Sequence, residues 1–229
     1  ALPIYRFGAA VLLGTQMIAK GLDFDEVTLV GVINADTMLK LPDFRSAERT
    51  FDLIEQVAGR AGRADKPGKV IVQTYSASDP AIKAASRYDR QLFLDKELGL
   101  RKGLGYPPFV RLANVLVWGK DEDRVKQVAH ELYADLSTLI PSQTGLAQTT
   151  SKQTALKQDV SQESCSASWL LLPPTPCVLE RLKGSWRYHL VIKAPSACSI
   201  ADYVGQYFRE RKPESDVRVS IDIDPINLL

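Results

Sequence analysis

Apolar positions along the 229-residue chain follow two different rhythms. In the first, short β-branched runs alternate with helical periods. Val11–Gly14 reads as the end of a buried strand, and Val27–Ile33 is a continuous apolar run suited to a central parallel strand. From Arg45 to Ala58, apolar residues at Ala47, Phe51, Leu53, Ile54, Val57 and Ala58 recur at close to 3.6 residues, which predicts a helix with one buried stripe. Gly68–Thr74 follows a Lys-Pro-Gly turn and reads as a further strand. Pro80 opens a charged amphipathic stretch expected to stay helical to about Leu98. Such alternation predicts an α/β fold with a mostly parallel sheet.

The second rhythm begins near residue 102. Leu112–Trp118 is a predicted strand, and Asp121–Ile140 a predicted helix capped by Asp121, with Val125, Val128, Ala129, Leu132, Leu136 and Leu139 on one face. Trp169–Leu172 and Trp186–Ala194 read as strands. Ile200–Arg211 reads as a helix, with Ser199 and Asp202 spaced as a capping box and Tyr203, Val204, Tyr207 and Phe208 facing inward. Val217–Asp222 alternates as a last strand. The order β-α-β-β-α-β is that of ferredoxin-like domains. Two domains are therefore expected, 1–101 and 102–229. The second is interrupted by Pro141–Ser168, where six Ser, five Gln and four Thr leave too little apolar surface to offset ordering, so it reads as a disordered insertion.

Composition narrows the class. Hydrophobic residues make 45% and charged residues 24%, which excludes a wholly disordered chain. The longest uncharged apolar stretch, Phe7–Ala19, falls short of the roughly 20 residues a membrane-spanning helix needs. The chain opens at Ala1 on what reads as a strand approach, so a fragment or processed piece is expected. Net charge is +2, spread so that residues 1–80 are net −1 while 81–140 are net +2. A nucleic-acid site must then be a local patch rather than a global field. Cys165, Cys177 and Cys198 show no C-x-x-C spacing and read as reduced thiols of a cytoplasmic protein.

Two segments carry chemistry. In Gln56-Val-Ala-Gly59-Arg60-Ala-Gly62-Arg63, paired Gly-Arg steps let the backbone approach a neighbour while two guanidiniums face one anion. Arginine suits phosphoryl oxygens because its fork is planar and stays charged. The same pattern also fits a glycine-capped helix end with two solvated arginines. In Gly14-Thr15-Gln16-Met17-Ile18-Ala19-Lys20-Gly21-Leu22-Asp23-Phe24, hydroxyl, amide and backbone N–H groups can hold nucleic-acid phosphates, and Gly21 and Asp23 can approach a ribose. The bland alternative is a strand–turn whose glycines serve only the turn.

Together these segments resemble motifs V and VI of superfamily-two helicases. Asn34–Arg63, Tyr106-Pro-Pro-Phe109, the run from Pro174 to Tyr188 and the ending Asp222-Ile-Asp224-Pro225 resemble the bacterial primosomal protein N′ (PriA) family. The resemblance implies the end of a RecA-like helicase lobe followed by a C-terminal domain. It further implies a replication-restart DNA helicase that moves 3′ to 5′, remodels abandoned forks and promotes primosome assembly to reload the replicative helicase. By motif correspondence, Gln56, Arg60 and Arg63 would face ATP and magnesium, with Arg63 favoured as the finger at the γ-phosphate. Gly21 and Asp23 would sit by the nucleotide, and Thr15 and Gln16 along the DNA track. Forked and single-stranded DNA, single-strand-binding protein and other primosome proteins are the implied partners of a monomeric chain.

Departures from the family qualify the expectation. The chain contains no G-x-x-x-x-G-K-[ST], so it is not expected to hydrolyse ATP by itself. The family's cysteine-rich zinc module has no counterpart here, and no metal ligands are expected. Pro173 stands where the family usually has glycine. Asp25-Glu26 and Asp121-Glu122 read as solvated charges or caps rather than a magnesium pair.

A third cluster lies in the C-terminal domain. Arg181, Lys183, Arg187 and Lys193 interleave with Trp186, Tyr188 and His189, with no acidic residue from 181 to 193. Arg181, Lys183, Trp186 and Arg187 are the candidate nucleic-acid contacts, cations for phosphates and an aromatic for stacking. In an alternating strand, however, Trp186, Tyr188 and Leu190 share one face and fit a core. A non-catalytic module binding DNA or single-strand-binding protein is the alternative reading.

Overall fold

The computed structural model describes residues 2–6, 9–14, 27–61, 68–140, 169–212 and 214–228. The chain is mixed α/β and divides into two compact units, Ala1–Gly99 and Leu100–Leu229. The expected insertion 141–168 lies outside the described residues. Among the described residues, no helix is long and apolar enough to cross a membrane.

In the first unit, β1 (Leu2–Arg6) and β2 (Ala9–Leu13) form an antiparallel pair. β3 (Leu29–Val32) and β4 (Lys69–Val72) pair in parallel. Helices α1 (Asp36–Leu39) and α2 (Ser46–Ala58) connect β3 to β4, and α3 (Pro80–Ser86) follows. The expected stripe on α2 is buried at Phe51, Ile54 and Ala58. Phe51 stacks on Phe93 with ring centroids 4.4 Å apart, and Ala81, Ile82, Ala84 and Ala85 of α3 close the cluster.

Two expectations for this unit fail. Val11 and Leu13 are exposed, not buried, and Leu29 and Ile33 are also open to solvent. A run that reads as a central strand here borders a sheet of only two strands among the described residues, so its burial alternates instead of being continuous. The helix expected from Pro80 to Leu98 is broken. α3 ends at Ser86, Tyr88 takes φ 54°, and α4 restarts over Arg90–Leu104. Asp89 supplies the reason: its carboxylate accepts from the Leu92 N–H at 2.9 Å and so starts a new first turn.

The second unit is built on β5 (Val110–Gly119), which is flanked by β8 (Ser185–Pro195) and β9 (Val217–Ile223), both antiparallel to it. β6 (Leu170–Leu171) and β7 (Thr175–Leu182) both pair with β8. Sequence patterning missed β7, because Pro174 and Pro176 argue against a strand. As an edge strand it tolerates them. Helices α5 (Glu122–Leu139) and α6 (Ile200–Glu210) contribute Val125, Val128, Leu132, Leu136, Ile200 and Val204 to one buried cluster. Ala113, Val115 and Val117 of β5 and Tyr188, Leu190 and Ile192 of β8 meet them from the sheet. Each Val, Leu or Ile among them, taken fully from water, contributes about 1.5–3 kcal/mol.

Local devices fix the ends. Asp121 accepts from the Arg124 N–H at 2.8 Å, the expected cap of α5. Ser199 makes no side-chain cap bond to α6, against the capping-box expectation. Gly119 lets the Asp216 backbone and Val125 of α5 pack directly on β5, since a Cβ there would stand 2.7 Å from the Asp216 carbonyl and 3.0 Å from Val125 Cγ2. The reduced-thiol expectation holds for Cys177, which is free and buried, but Cys198 is disulfide-bonded.

Candidate functional site

Gln56 and Arg60 lie at the C-terminal end of α2. Gln56 is exposed and Arg60 half-buried. The chain turns out of the helix through Gly59 N–H to Glu55 O at 2.9 Å, Arg60 N–H to Val57 O and Ala61 N–H to Ala58 O, both 3.1 Å. Gly59 sits at φ −65°, in the right-handed region, and a Cβ on it would meet nothing closer than 3.5 Å. Gly59 is thus the C-cap of α2, as the glycine-capped alternative expects, though in the right-handed rather than the left-handed conformation. Thr15, Gln16, Gly21, Asp23 and Arg63 lie outside the described residues.

A clasp joins the start of α1 to the turn after β4. The buried carboxylate of Asp36, at the start of α1, accepts from the Tyr75 N–H at 2.8 Å and from Ser76 Oγ at 2.7 Å. The Ser76 hydrogen bond, then that of Tyr75, lowers its pKa to about 2. Arg90 pairs with Glu55 and Asp52 of α2 and lies 5.3 Å over the Phe51 ring. Sequence reasoning gave Asp36 no role. Its position between the end of β3 and the turn after β4 was the available signal.

The four C-terminal candidates separate onto two sides of the sheet. β7 and β8 join through Lys183 and Gly184, both at positive φ, a turn that matches the twist of an antiparallel pair. Arg181 stands opposite Trp186 in register, its guanidinium 5.3 Å over the indole. Trp186 shares its strand parity with Tyr188 and Leu190, which belong to the core, so this pair lies toward the helices. Lys183 and Arg187 lie on the other side. With Leu116, Trp118, Leu182 and Ser185 they line a groove of about 350 Å³. Beside it His189 Nδ1 lies 3.2 Å from Asn114 Oδ1, and burial, then the Arg187 charge, pushes the imidazole pKa down.

The far end of that sheet face is covered. Lys193 is buried, donates to the Leu104 carbonyl at 3.0 Å and sits 3.8 Å over the Tyr106 ring. Arg111 is engaged by Asp224. Trp118 was passed over in the sequence because it closes an apolar strand. Its parity with Asn114, opposite to core Val115 and Val117, was the sign that it faces away from the helices.

Comparison with known proteins agrees with the sequence resemblance. Residues 102–226 match the family described as Primosomal protein N C-terminal domain. The chain is 38% identical over 228 residues to the replication restart protein PriA of Bacillus subtilis, covering 96% of this chain and 25% of that protein. It is 38% identical to the PriA of Treponema pallidum, covering 96% of this chain and 30% of the relative. For the PriA of Synechocystis the identity is 33%, over 97% of this chain and 24% of the relative. The chain thus spans about a quarter of the length of such relatives. It belongs to the PriA family of replication restart proteins.

Proposed function

We propose that this chain is the C-terminal part of an ATP-dependent 3′ to 5′ DNA helicase that remodels abandoned replication forks and promotes reloading of the replicative helicase. The observation that carries the reading is alignment along nearly the whole chain with the end of replication restart proteins, together with Gln56 and Arg60 on one helix end. In this reading residues 1–101 are the end of a RecA-like lobe and 102–229 a ferredoxin-like domain. The exposure of Leu29 in β3 and of Ile33 just after it supports a larger sheet around β3 in the complete protein.

The residues fit a nucleotide partner in part. An exposed amide and a half-buried guanidinium on one helix end are donors suited to phosphoryl oxygens. Magnesium-bound ATP, when held there, would supply the phosphoryl transfer. Arg60, with Arg63, would neutralise charge developing on the transferred group, and Gln56 would orient it. Gly21 and Asp23 would stand by the same nucleotide, while Thr15, Gln16 and the basic residues of the second unit would contact DNA. Primosome proteins and single-strand-binding protein are the proposed protein partners.

The test is direct. The 229-residue chain should bind forked DNA in a salt-sensitive manner and should not hydrolyse ATP, because it carries no phosphate-cradling lysine motif. DNA-stimulated hydrolysis by this chain at the rate of a complete helicase would sink the proposal. In the complete helicase, Arg60→Ala and Arg63→Ala should each lower DNA-stimulated turnover without weakening DNA binding. The larger loss should fall on Arg63, on the order of 10³-fold for a finger.

A further inference from the structure

The open end of the β5 face has an arrangement that the nucleic-acid candidates alone do not describe. In register, Trp118 stands directly opposite Arg187 on β8 and directly opposite Arg218 on β9. Directly opposed residues share a sheet face, and adjacent strands lie about 4.8 Å apart. Trp118 is therefore flanked on one sheet face by an arginine from each neighbouring strand. Trp118 and Arg187 are half-buried, while Arg218 is exposed on a strand with no further neighbour among the described residues. Lys183, on the turn above, completes the wall of the groove.

Three arginines elsewhere in the unit are matched: Arg111 by Asp224, Arg124 by Glu214 and Asp216, Arg211 by Glu214. Arg187, Arg218 and Lys183 have no carboxylate partner among the described residues. The acidic residues of this face, Asp222 and Asp224, lie further along β9, beside Asn114 and Leu112. Three uncompensated cations around one accessible indole form a surface with an anionic, stackable complement.

β5 is hydrogen-bonded on both edges, so a ligand lying over Trp118 meets side chains rather than the β5 backbone, while the outer edge of β9 has no neighbour among the described residues. In a duplex, both faces of a base are covered by its neighbours, so the base must come from a single strand.

We infer that Trp118, flanked by Arg187 and Arg218, is a base-stacking site for single-stranded nucleic acid on the open face of the C-terminal sheet. This rests on the proposed DNA-binding role of the chain and names the site and the strand state it takes. One base lies on the indole, and the flanking phosphates meet the two guanidiniums and Lys183.

Fluorescence anisotropy of the 229-residue chain with a labelled twelve-residue oligothymidylate, at two salt concentrations, tests it. Trp118→Leu keeps apolar cover over the sheet but removes the stacking face. It should weaken binding by about 5- to 150-fold, and Trp118→Phe should restore most of the loss. Arg218→Gln should reduce the slope of log affinity against log salt by about 0.7, one phosphate contact on a single strand. Thermal melts of each variant report folding. If the wild-type chain binds the oligonucleotide and Trp118→Leu binds it equally well, the stacking site is wrong and the DNA-binding role stands. If the wild-type chain binds no oligonucleotide, the DNA-binding role fails with it. Loss of an oligoglutamate peptide but not of the oligonucleotide in Trp118→Leu would overturn the assignment in favour of an acidic peptide.

Discussion

Ser76 Oγ donates a 2.7 Å hydrogen bond to the Asp36 carboxylate, joining positions 40 residues apart. The bond holds the turn after β4 against the start of α1, and α2 with Gln56 and Arg60 lies within the loop so closed.

Because the folded carboxylate titrates at about 2 against 3.8 unperturbed, its stabilisation is complete above about pH 4 and is lost as pH falls toward about 2. Asp36→Asn should therefore lower the melting temperature at neutral pH. Its deficit relative to wild type should close between about pH 4 and about pH 2, as followed by calorimetry. A constant deficit across that range would contradict the clasp.

Two glycines should respond oppositely to the same change. Gly119→Ala drives a Cβ to 2.7 Å from the Asp216 carbonyl, and overpacking of this kind costs about 1–3 kcal/mol. Gly59→Ala meets only ordinary contacts and should be neutral or stabilise by up to about 1 kcal/mol. Denaturant melts distinguish them. If Gly59 serves the close approach proposed for the complete protein, its alanine variant there should lose ATP turnover while remaining stable.

Leu132 is fully buried between α5 and the sheet. Leu132→Ala should cost about 2–5 kcal/mol by opening a cavity, read from the midpoint of urea unfolding. A smaller loss would mean that the α5 face can collapse onto the sheet.

Tyr207 donates to Asp135 at 2.6 Å and accepts from Arg211 at 2.9 Å. Burial, then the Asp135 bond, raises its phenol pKa to about 12. A raised acid favours the neutral folded form, so this tyrosine should stay neutral beyond pH 10, visible as delayed phenolate absorbance. Tyr207→Phe should destabilise the unit by about 1 kcal/mol.

The helices were the most legible part of the sequence, because a 3.6-residue apolar period survives in α2, α5 and α6 whatever packs on them. Strands were read by composition, and composition misled where a strand lay at an edge: β7 was hidden by its prolines, and the apolar run of β3 suggested burial that two strands cannot supply. The break at Tyr88 could not be read from amphipathicity, since Asp89 restarts the same period. The basic cluster was visible as a run along one strand, but sequence cannot tell the two faces of a strand apart until the core is known. Hence Arg181 and Trp186 were grouped with Lys183 and Arg187, and Arg218, about thirty residues on, was passed over. Only register brings Arg218 beside Trp118.

Register also makes the second unit depend on its last strand. β5 receives β9 from Gly119↔Val217 to Ala113↔Ile223. Roughly 100 residues of synthesis separate the two strands, on the order of 5–20 s at ordinary elongation rates. Throughout that interval β5 emerges with one side bare, and a chain ended before Val217 would keep it so. A stop codon before Val217 would thus remove both the sheet's closing strand and one of the two cations beside Trp118. The unit would be lost to proteolysis as readily as to loss of affinity.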